Sequence, residues 1–208
     1  MKKTNCLIGQ SGGPTAVINS SYKGIIDAVK EEEGIEEIYA MKFGIQGFLR
    51  GEFIDLSNKT KKELNLLRNT PSTVIGTCRY KIDHYNNSEE DYIKFFELVE
   101  RLNIGYVFYV GGNDSMDTVY KLDSYAREKG IDIKIIGVPK TIDNDMIETD
   151  HCPGYGSAAK YIATSVMEIA RDSRVYDVKN VHIIETMGRS TGWLAAASIL
   201  ASNEKLKA

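Results

Sequence analysis

The chain has 208 residues, 42% of them hydrophobic and 26% charged, a balance typical of a globular protein with a substantial apolar core. Its formal net charge is -3 and no long Lys/Arg block occurs, which argues against nucleic acid or an anionic membrane as a partner. Three cysteines without CxxC spacing indicate neither disulfides nor zinc, and no apolar run suits a signal peptide or membrane span. We therefore expect a cytoplasmic protein with small ligands.

Apolar runs alternate with amphipathic runs along the chain, and this alternation predicts β/α units around a parallel sheet. In chain order the runs are 6–8, 17–29, 38–43, 64–67, 73–75, 92–102, 106–110, 115–126, 133–138, 157–170, 181–184 and 191–201. We expect an α/β fold, a doubly wound and mainly parallel sheet with helices on both faces. No repeat or linker divides 1–208, which we treat as one region.

Five polar segments each directly follow an apolar run that we predict as a strand. They are GQSGG at 9–13, GTCR at 76–79, GGNDS at 111–115, PKTIDND at 139–145 and MGR at 187–189. Because the carboxyl ends of parallel strands share one edge of a sheet, we expect all five segments to meet there. Free N–H groups at strand ends and helix starts make that edge suitable for phosphate.

Two glycine pairs are candidates for phosphate binding. Gly12 and Gly13 lack the Cβ atoms that would keep a phosphate from the loop amides, although a purely structural tight turn is the alternative. The pair at 111–112 precedes Asn113 and Asp114, whose oxygens suit Mg2+, and here an Asp-capped helix start is the alternative. Neither a P-loop nor a GxGxxG pattern occurs, so the common ATPase and dinucleotide-binding interpretations lose their support.

The segment 139–145 combines one cation, Lys140, with two carboxylates, Asp143 and Asp145. Phosphoryl transfer to a hydroxyl requires a carboxylate to accept the proton and cations to stabilise charge on the moving group. Asp143 can accept the proton, while Lys140 and Arg79 can stabilise that charge.

Taken in this order, the five segments resemble those of the phosphofructokinase family. The combination of TIDND at 141–145 with MGR at 187–189 is highly specific, and the resemblance covers essentially the whole chain. It implies the phosphofructokinase fold, in which 1–208 is the catalytic and donor-binding region of a longer protein. The family's second, sugar-binding lobe is then largely missing from this chain.

The resemblance implies a role for each candidate residue. The phosphoryl donor would bind at Gly12, Gly13, Arg79, Gly112, Asp114, Ser115 and Lys140. The acceptor, fructose 6-phosphate, would bind at Thr141, Ile142, Asp143, Asp145, Met187, Gly188 and Arg189. Asp143 would be the proton acceptor, acting with Lys140, Asp114 and Arg79, and Asn113 would serve Mg2+. A homo-oligomer is the expectation by analogy with the family.

Two positions indicate which donor is used. ATP-using relatives carry glycine after the metal residue and usually before TIDND, where this chain has Asp114 and Lys140. Both differences resemble the pyrophosphate-dependent branch. An aspartate at 114 would occupy the space, and repeat the negative charge, of a nucleotide α-phosphate, so ATP should be repelled while pyrophosphate fits.

The leading hypothesis is a Mg2+-dependent glycolytic enzyme that transfers a phosphoryl group reversibly from pyrophosphate to the 1-hydroxyl of fructose 6-phosphate, giving fructose 1,6-bisphosphate. One alternative is an ATP-dependent 6-phosphofructokinase, which Asp114 argues against. The other is a non-catalytic phosphate-binding module or inactive fragment. It is favoured by the missing lobe and by Asn113, which stands where ATP-using members commonly carry aspartate.

Overall fold

The computed structural model describes residues 3–202. The chain divides into two compact units, of which the first ends at Lys140 and the second begins at Thr141. The first unit consists of a sheet with its helices, whereas the regular structure of the second is helical. Within 3–202, no helix combines the length and the apolar character needed to cross a membrane.

The sheet of the first unit is mainly parallel. Its strands are β1 (Thr4–Gln10), β2 (Ile35–Met41), β3 (Phe53–Asp55), β4 (Ile104–Gly111) and β5 (Lys134–Pro139). They lie in the order β3-β2-β1-β4-β5, and only the edge pair of β2 and β3 is antiparallel. Since the sheet extends from β1 in both directions, its topological switch point lies between the carboxyl ends of β1 and β4.

Helices cover both faces of this sheet. They are α1 (Ile18–Lys30), α2 (Gly44–Leu49), α3 (Lys61–Leu66), α4 (Glu90–Arg101) and α5 (Asn113–Glu128). Side chains alternate along β1, so that Cys6 and Ile8 enter the core beneath α1 and α3, while Leu7 enters the core beneath α2, α4 and α5. The predicted doubly wound α/β architecture is therefore confirmed.

The second unit contains α6 (Tyr155–Ser173) and α7 (Trp193–Ala197), followed by a 3-10 turn (Ser198–Ala201). Its buried residues include Ala159 on α6 and Leu194 and Ala197 on α7. The segment before α6 folds back on itself, because the Thr141 N–H donates to the Pro153 carbonyl over 3.2 Å. This unit therefore holds the 141–145 segment in a compact loop.

Two of the predicted strands are wrong. Residues 73–75 belong to a turn, which the Gly76 N–H closes by donating to the Thr73 carbonyl over 3.3 Å. Residues 181–184 pair with no strand in the described part of the chain, and Val181 and Ile183 are 88% and 94% exposed. The run has the composition of a strand, but a strand forms only where a neighbour accepts its hydrogen bonds.

Candidate active site

The five polar segments do not all follow strands. Segments 9–13, 111–115 and 139–145 coincide with the carboxyl ends of β1, β4 and β5, whereas 76–79 follows a turn and 187–189 follows an irregular stretch. The prediction that each segment follows a strand is therefore wrong for two of them. Both glycine pairs nevertheless lie at the switch point between β1 and β4, where open α/β sheets bind ligands.

A buried pair of hydroxyl groups joins the two glycine loops. The Ser11 and Ser115 Oγ atoms lie 2.6 Å apart, and the Ser11 N–H donates to the Val110 carbonyl over 3.0 Å. Gly111 provides the room for this contact, since a Cβ there would lie 1.9 Å from the Ser115 Oγ. Ser115, which we predicted to bind the donor, is 3% exposed. Its side chain connects the loops.

The segment 76–79 attaches to the first glycine loop through two hydrogen bonds. Gly12, whose φ of +84° favours glycine, donates its N–H to the Cys78 carbonyl over 3.1 Å. In return, Thr77 Oγ1 donates to the Gly12 carbonyl over 2.7 Å. The pairing brings Arg79 beside the loop, where its Nη2 would lie 3.6 Å from a Cβ placed on Gly13. A guanidinium and an open backbone therefore face the same space.

A buried tyrosine of β4, Tyr109, holds the start of α2 next to the carboxyl end of β1. The Tyr109 hydroxyl accepts a hydrogen bond from the Ile45 N–H over 3.1 Å and so holds the first turn of α2. Tyr109 is 2% exposed, and burial raises its pKa above the ordinary value. Its phenol therefore stays protonated near neutral pH. Gly44 at the start of α2 packs closely, since a Cβ there would lie 2.6 Å from the Gln10 carbonyl oxygen.

Lys140 lies beneath the first glycine loop. It is 3% exposed, and its Nζ donates to the carbonyls of Gly13, over 2.7 Å, and Ser11, over 3.4 Å. Its backbone N–H donates to the Gly111 carbonyl over 2.9 Å. A buried ammonium requires such acceptors, because burial without them is costly. Lys140 thus ties the end of β5 to both glycine loops.

The first turn of α5 presents Asn113 and Asp114 to solvent. An acidic residue at a helix start is stabilised by the helix dipole. Asp114 Oδ1 also lies 3.0 Å from the Nζ of Lys81, a cation that the sequence reasoning did not single out. No signal in the sequence marks this pair, because a lysine in a loop is an ordinary surface residue.

The metal-binding capacity of the described residues is limited. Within 3–202, no group of three or more His, Cys, Asp or Glu side chains is arranged to hold a metal ion. Mg2+ commonly takes one or two protein oxygens, several waters and the phosphate oxygens of a substrate. The amide oxygen of Asn113 fits a metal that arrives with a phosphorylated donor.

In the second unit, Thr191 links the two predicted acceptor segments. Its Oγ1 lies 2.8 Å from the Asp143 carbonyl and 2.9 Å from the Gly188 carbonyl. The Asp143 N–H donates to Thr141 Oγ1 over 3.1 Å, so the Asp143 backbone is held on both sides. Gly188 leaves no room for a side chain, since a Cβ would lie 2.5 Å from the Thr191 carbonyl oxygen.

The remaining predicted acceptor residues differ in exposure. Ile142 and Asp145 are half-buried, while Met187 and Arg189 are exposed. Sequence reasoning did not identify Thr191 as the connection, although this threonine lies only two residues beyond the MGR segment. The structure thus assembles the predicted donor residues in the first unit and joins the predicted acceptor segments in the second.

Comparison with known proteins agrees with this arrangement. Residues 5–206 match the family described as Phosphofructokinase. Two curated relatives named "Pyrophosphate--fructose 6-phosphate 1-phosphotransferase", from Methylococcus capsulatus and Xanthomonas campestris, are 40% and 43% identical over 99% and 97% of this chain. The matches cover 50% and 48% of those proteins, so the chain spans about half the length of the curated relatives it matches.

A solved structure gives the same result. The pyrophosphate-dependent phosphofructokinase from Marinobacter aquaeolei is 44% identical, with a TM-score of 0.87 over 97% of this chain and 50% of that one. The family match includes both glycine loops and the TIDND and MGR segments. This chain belongs to the phosphofructokinase family.

Proposed function

We propose that residues 1–208 form the catalytic and donor-binding region of a pyrophosphate-dependent phosphotransferase. The reaction transfers a phosphoryl group from pyrophosphate to the 1-hydroxyl of fructose 6-phosphate and yields fructose 1,6-bisphosphate and phosphate. The observation that carries the proposal is the donor cradle of the first unit, formed by Gly12, Gly13 and Arg79. A Cβ on Gly12 would lie 3.6 Å from the Lys140 Nζ, and a Cβ on Gly13 would lie 3.6 Å from the Arg79 Nη2, so both open glycines have a cation beside them. The names of the relatives support the choice of substrates.

In this mechanism Asp143 accepts the proton of the sugar hydroxyl. The hydroxyl oxygen forms a new bond to the nearer phosphorus of pyrophosphate, the bridging P–O bond breaks, and phosphate leaves with the bonding electrons. General-base catalysis of this kind contributes about 10²–10⁴-fold to the rate. The hydrogen bonds on both sides of the Asp143 backbone support this role, because they fix the point from which the carboxylate extends.

The cations of the first unit stabilise the negative charge that moves during transfer. Arg79 neutralises charge on the transferred phosphoryl group, since a guanidinium can bind two phosphate oxygens at once. Lys140 reinforces the donor loop and places its charge beneath the leaving phosphate. Gly12 and Gly13 allow the donor phosphates to approach the loop N–H groups.

Mg2+ is the divalent cation that we propose for this site. Asn113, together with the donor oxygens, would hold it at the start of α5. There it would reduce the negative charge of the donor. A cation at a helix N-terminus is unfavourable by itself, so the metal should bind together with pyrophosphate.

The experiment is an assay of fructose 1,6-bisphosphate formation by the purified chain with Mg2+ and fructose 6-phosphate. Pyrophosphate should support turnover and ATP should not, and Asp143→Asn should lower kcat by about 10²–10⁴-fold. Asp132→Asn is the matched control, because its side chain is 99% exposed. Faster turnover with ATP than with pyrophosphate, or full activity of Asp143→Asn, would contradict the proposal.

The second candidate is a phosphate-binding module without turnover, and the location of the donor residues in one unit favours it. The donor residues all lie in the first unit, so donor binding requires no acceptor. Binding of pyrophosphate without formation of a sugar bisphosphate would identify this function. A cytoplasmic location and a homo-oligomeric state remain predictions of the same proposal, and sedimentation analysis tests the latter.

A further inference from the structure

Lys81 and Asp114 form an ion pair at the edge of the donor cradle. The Lys81 Nζ lies 3.0 Å from Asp114 Oδ1. Lys81 follows Arg79 by two residues, and Asp114 belongs to the first turn of α5, next to the second glycine pair. The pair therefore brings a further positive charge to the place where donor phosphates would bind.

The backbone around Lys81 is fixed although it has no regular secondary structure. The Tyr80 hydroxyl donates to Asp91 over 2.6 Å, and Lys121 Nζ donates to the Ile82 carbonyl over 3.0 Å. The Ile82 side chain itself is 2% exposed. Because the residues on both sides are anchored, Lys81 extends from a defined position, while its own side chain is 72% exposed and accessible to a ligand.

Charge balance gives the pair a function. A carboxylate at 114 would lie close to a polyanionic donor. Its negative charge, if not compensated, would repel pyrophosphate as well as ATP. The ammonium of Lys81 opposes it at hydrogen-bonding distance. An exposed ion pair contributes little to fold stability, so stability alone gives no reason for this arrangement.

We propose that Lys81 is a donor-binding residue that makes Asp114 compatible with pyrophosphate. Its ammonium offsets the Asp114 carboxylate and contacts the distal phosphate of the donor, while the carboxylate remains as the barrier to a nucleotide. This inference rests on the proposed function, because it assumes that the cradle of Gly12, Gly13 and Arg79 binds pyrophosphate. It assigns to the 76–83 loop a second cation besides Arg79.

The test is calorimetric titration of the chain with methylenediphosphonate, a non-hydrolysable pyrophosphate analogue, in the presence of Mg2+. Lys81→Met should weaken binding by about tenfold or more, the loss expected for one charged contact. Lys81→Arg should retain affinity within about threefold, because the charge remains. Lys94→Met is the control, since Lys94 forms a similar exposed pair, with Glu90, on α4.

A double-mutant cycle with Asp114→Asn distinguishes charge compensation from a general loss of structure. In the Lys81→Met background, Asp114→Asn should restore affinity by about threefold or more, because it removes the carboxylate whose charge Lys81 had offset. Unchanged affinity of Lys81→Met, or a loss of affinity that Asp114→Asn does not reduce, would overturn this inference and leave the proposed function intact. If the unsubstituted chain fails to bind the analogue, the donor cradle of the proposed function is wrong as well.

Discussion

Gly13→Ala should separate donor binding from fold stability. The φ of Gly13 lies outside the left-handed region, and the nearest atom to an added Cβ is the Arg79 Nη2 at 3.6 Å, an ordinary contact. Alanine therefore fits without strain, and the loss of glycine entropy in the unfolded chain should stabilise the fold by about 0.4–1 kcal/mol. The same methyl group projects into the gap between the loop and the guanidinium.

A phosphate oxygen bound to Arg79 requires a distance of about 2.7–2.9 Å from the guanidinium nitrogen. The Gly13→Ala methyl group would lie 3.6 Å from the same nitrogen and obstruct an oxygen that approaches it from the loop side, so one charged hydrogen bond to the donor should be lost. Such a bond contributes about 1.5–3 kcal/mol. The dissociation constant for Mg2+-methylenediphosphonate should therefore rise by roughly 10- to 150-fold.

Two measurements on the same variant test this reasoning. Urea unfolding gives the change in stability, and phosphorus NMR titration gives the affinity for the diphosphonate. Gly24→Ala is the matched control, because Gly24 is exposed on α1 with no atom within 4 Å of an added Cβ. Unchanged affinity of Gly13→Ala would refute the phosphate cradle, and a large loss of stability would refute the geometry of the loop.

Three further predictions concern buried residues of the first unit. Gly111→Ala should destabilise the fold by about 1–3 kcal/mol in urea unfolding, because Ser115 is hydrogen-bonded and cannot move aside for the new methyl group. Tyr109→Phe should cost about 1–3 kcal/mol in the same assay by leaving the Ile45 N–H without its acceptor, and an unchanged midpoint would contradict that contact. Burial raises the pKa of Cys6 to about 12, so iodoacetamide at pH 8 should modify it only as the chain unfolds; rapid labelling of native protein would show otherwise.

The central strands were predictable because their sequences are dictated by burial. β1 and β4 are apolar runs with side chains packed on both faces, and each is followed by a polar segment. β3 was not predicted, since three residues of an antiparallel edge strand carry too little pattern. Residues 181–184 show the opposite case, in which a clear pattern finds no pairing strand in the described part of the chain.

The candidate site was predictable in its motifs and unpredictable in its connections. Glycine pairs and charged residues after strands indicate a phosphate site from local sequence alone. The contacts of Lys140 with Gly13, of Ser115 with Ser11, and of Lys81 with Asp114 each join residues far apart in the chain. Such contacts depend on how the loops pack, which no local pattern encodes.

The most direct test of the central claim follows the phosphoryl group itself. The purified chain is incubated with Mg2+, fructose 6-phosphate and uniformly 32P-labelled pyrophosphate, and the products are separated. The proposed reaction predicts equal label in fructose 1,6-bisphosphate and in phosphate, and no labelled sugar when γ-labelled ATP replaces pyrophosphate. Label that appears only in phosphate, or a sugar product labelled faster from ATP, would contradict it.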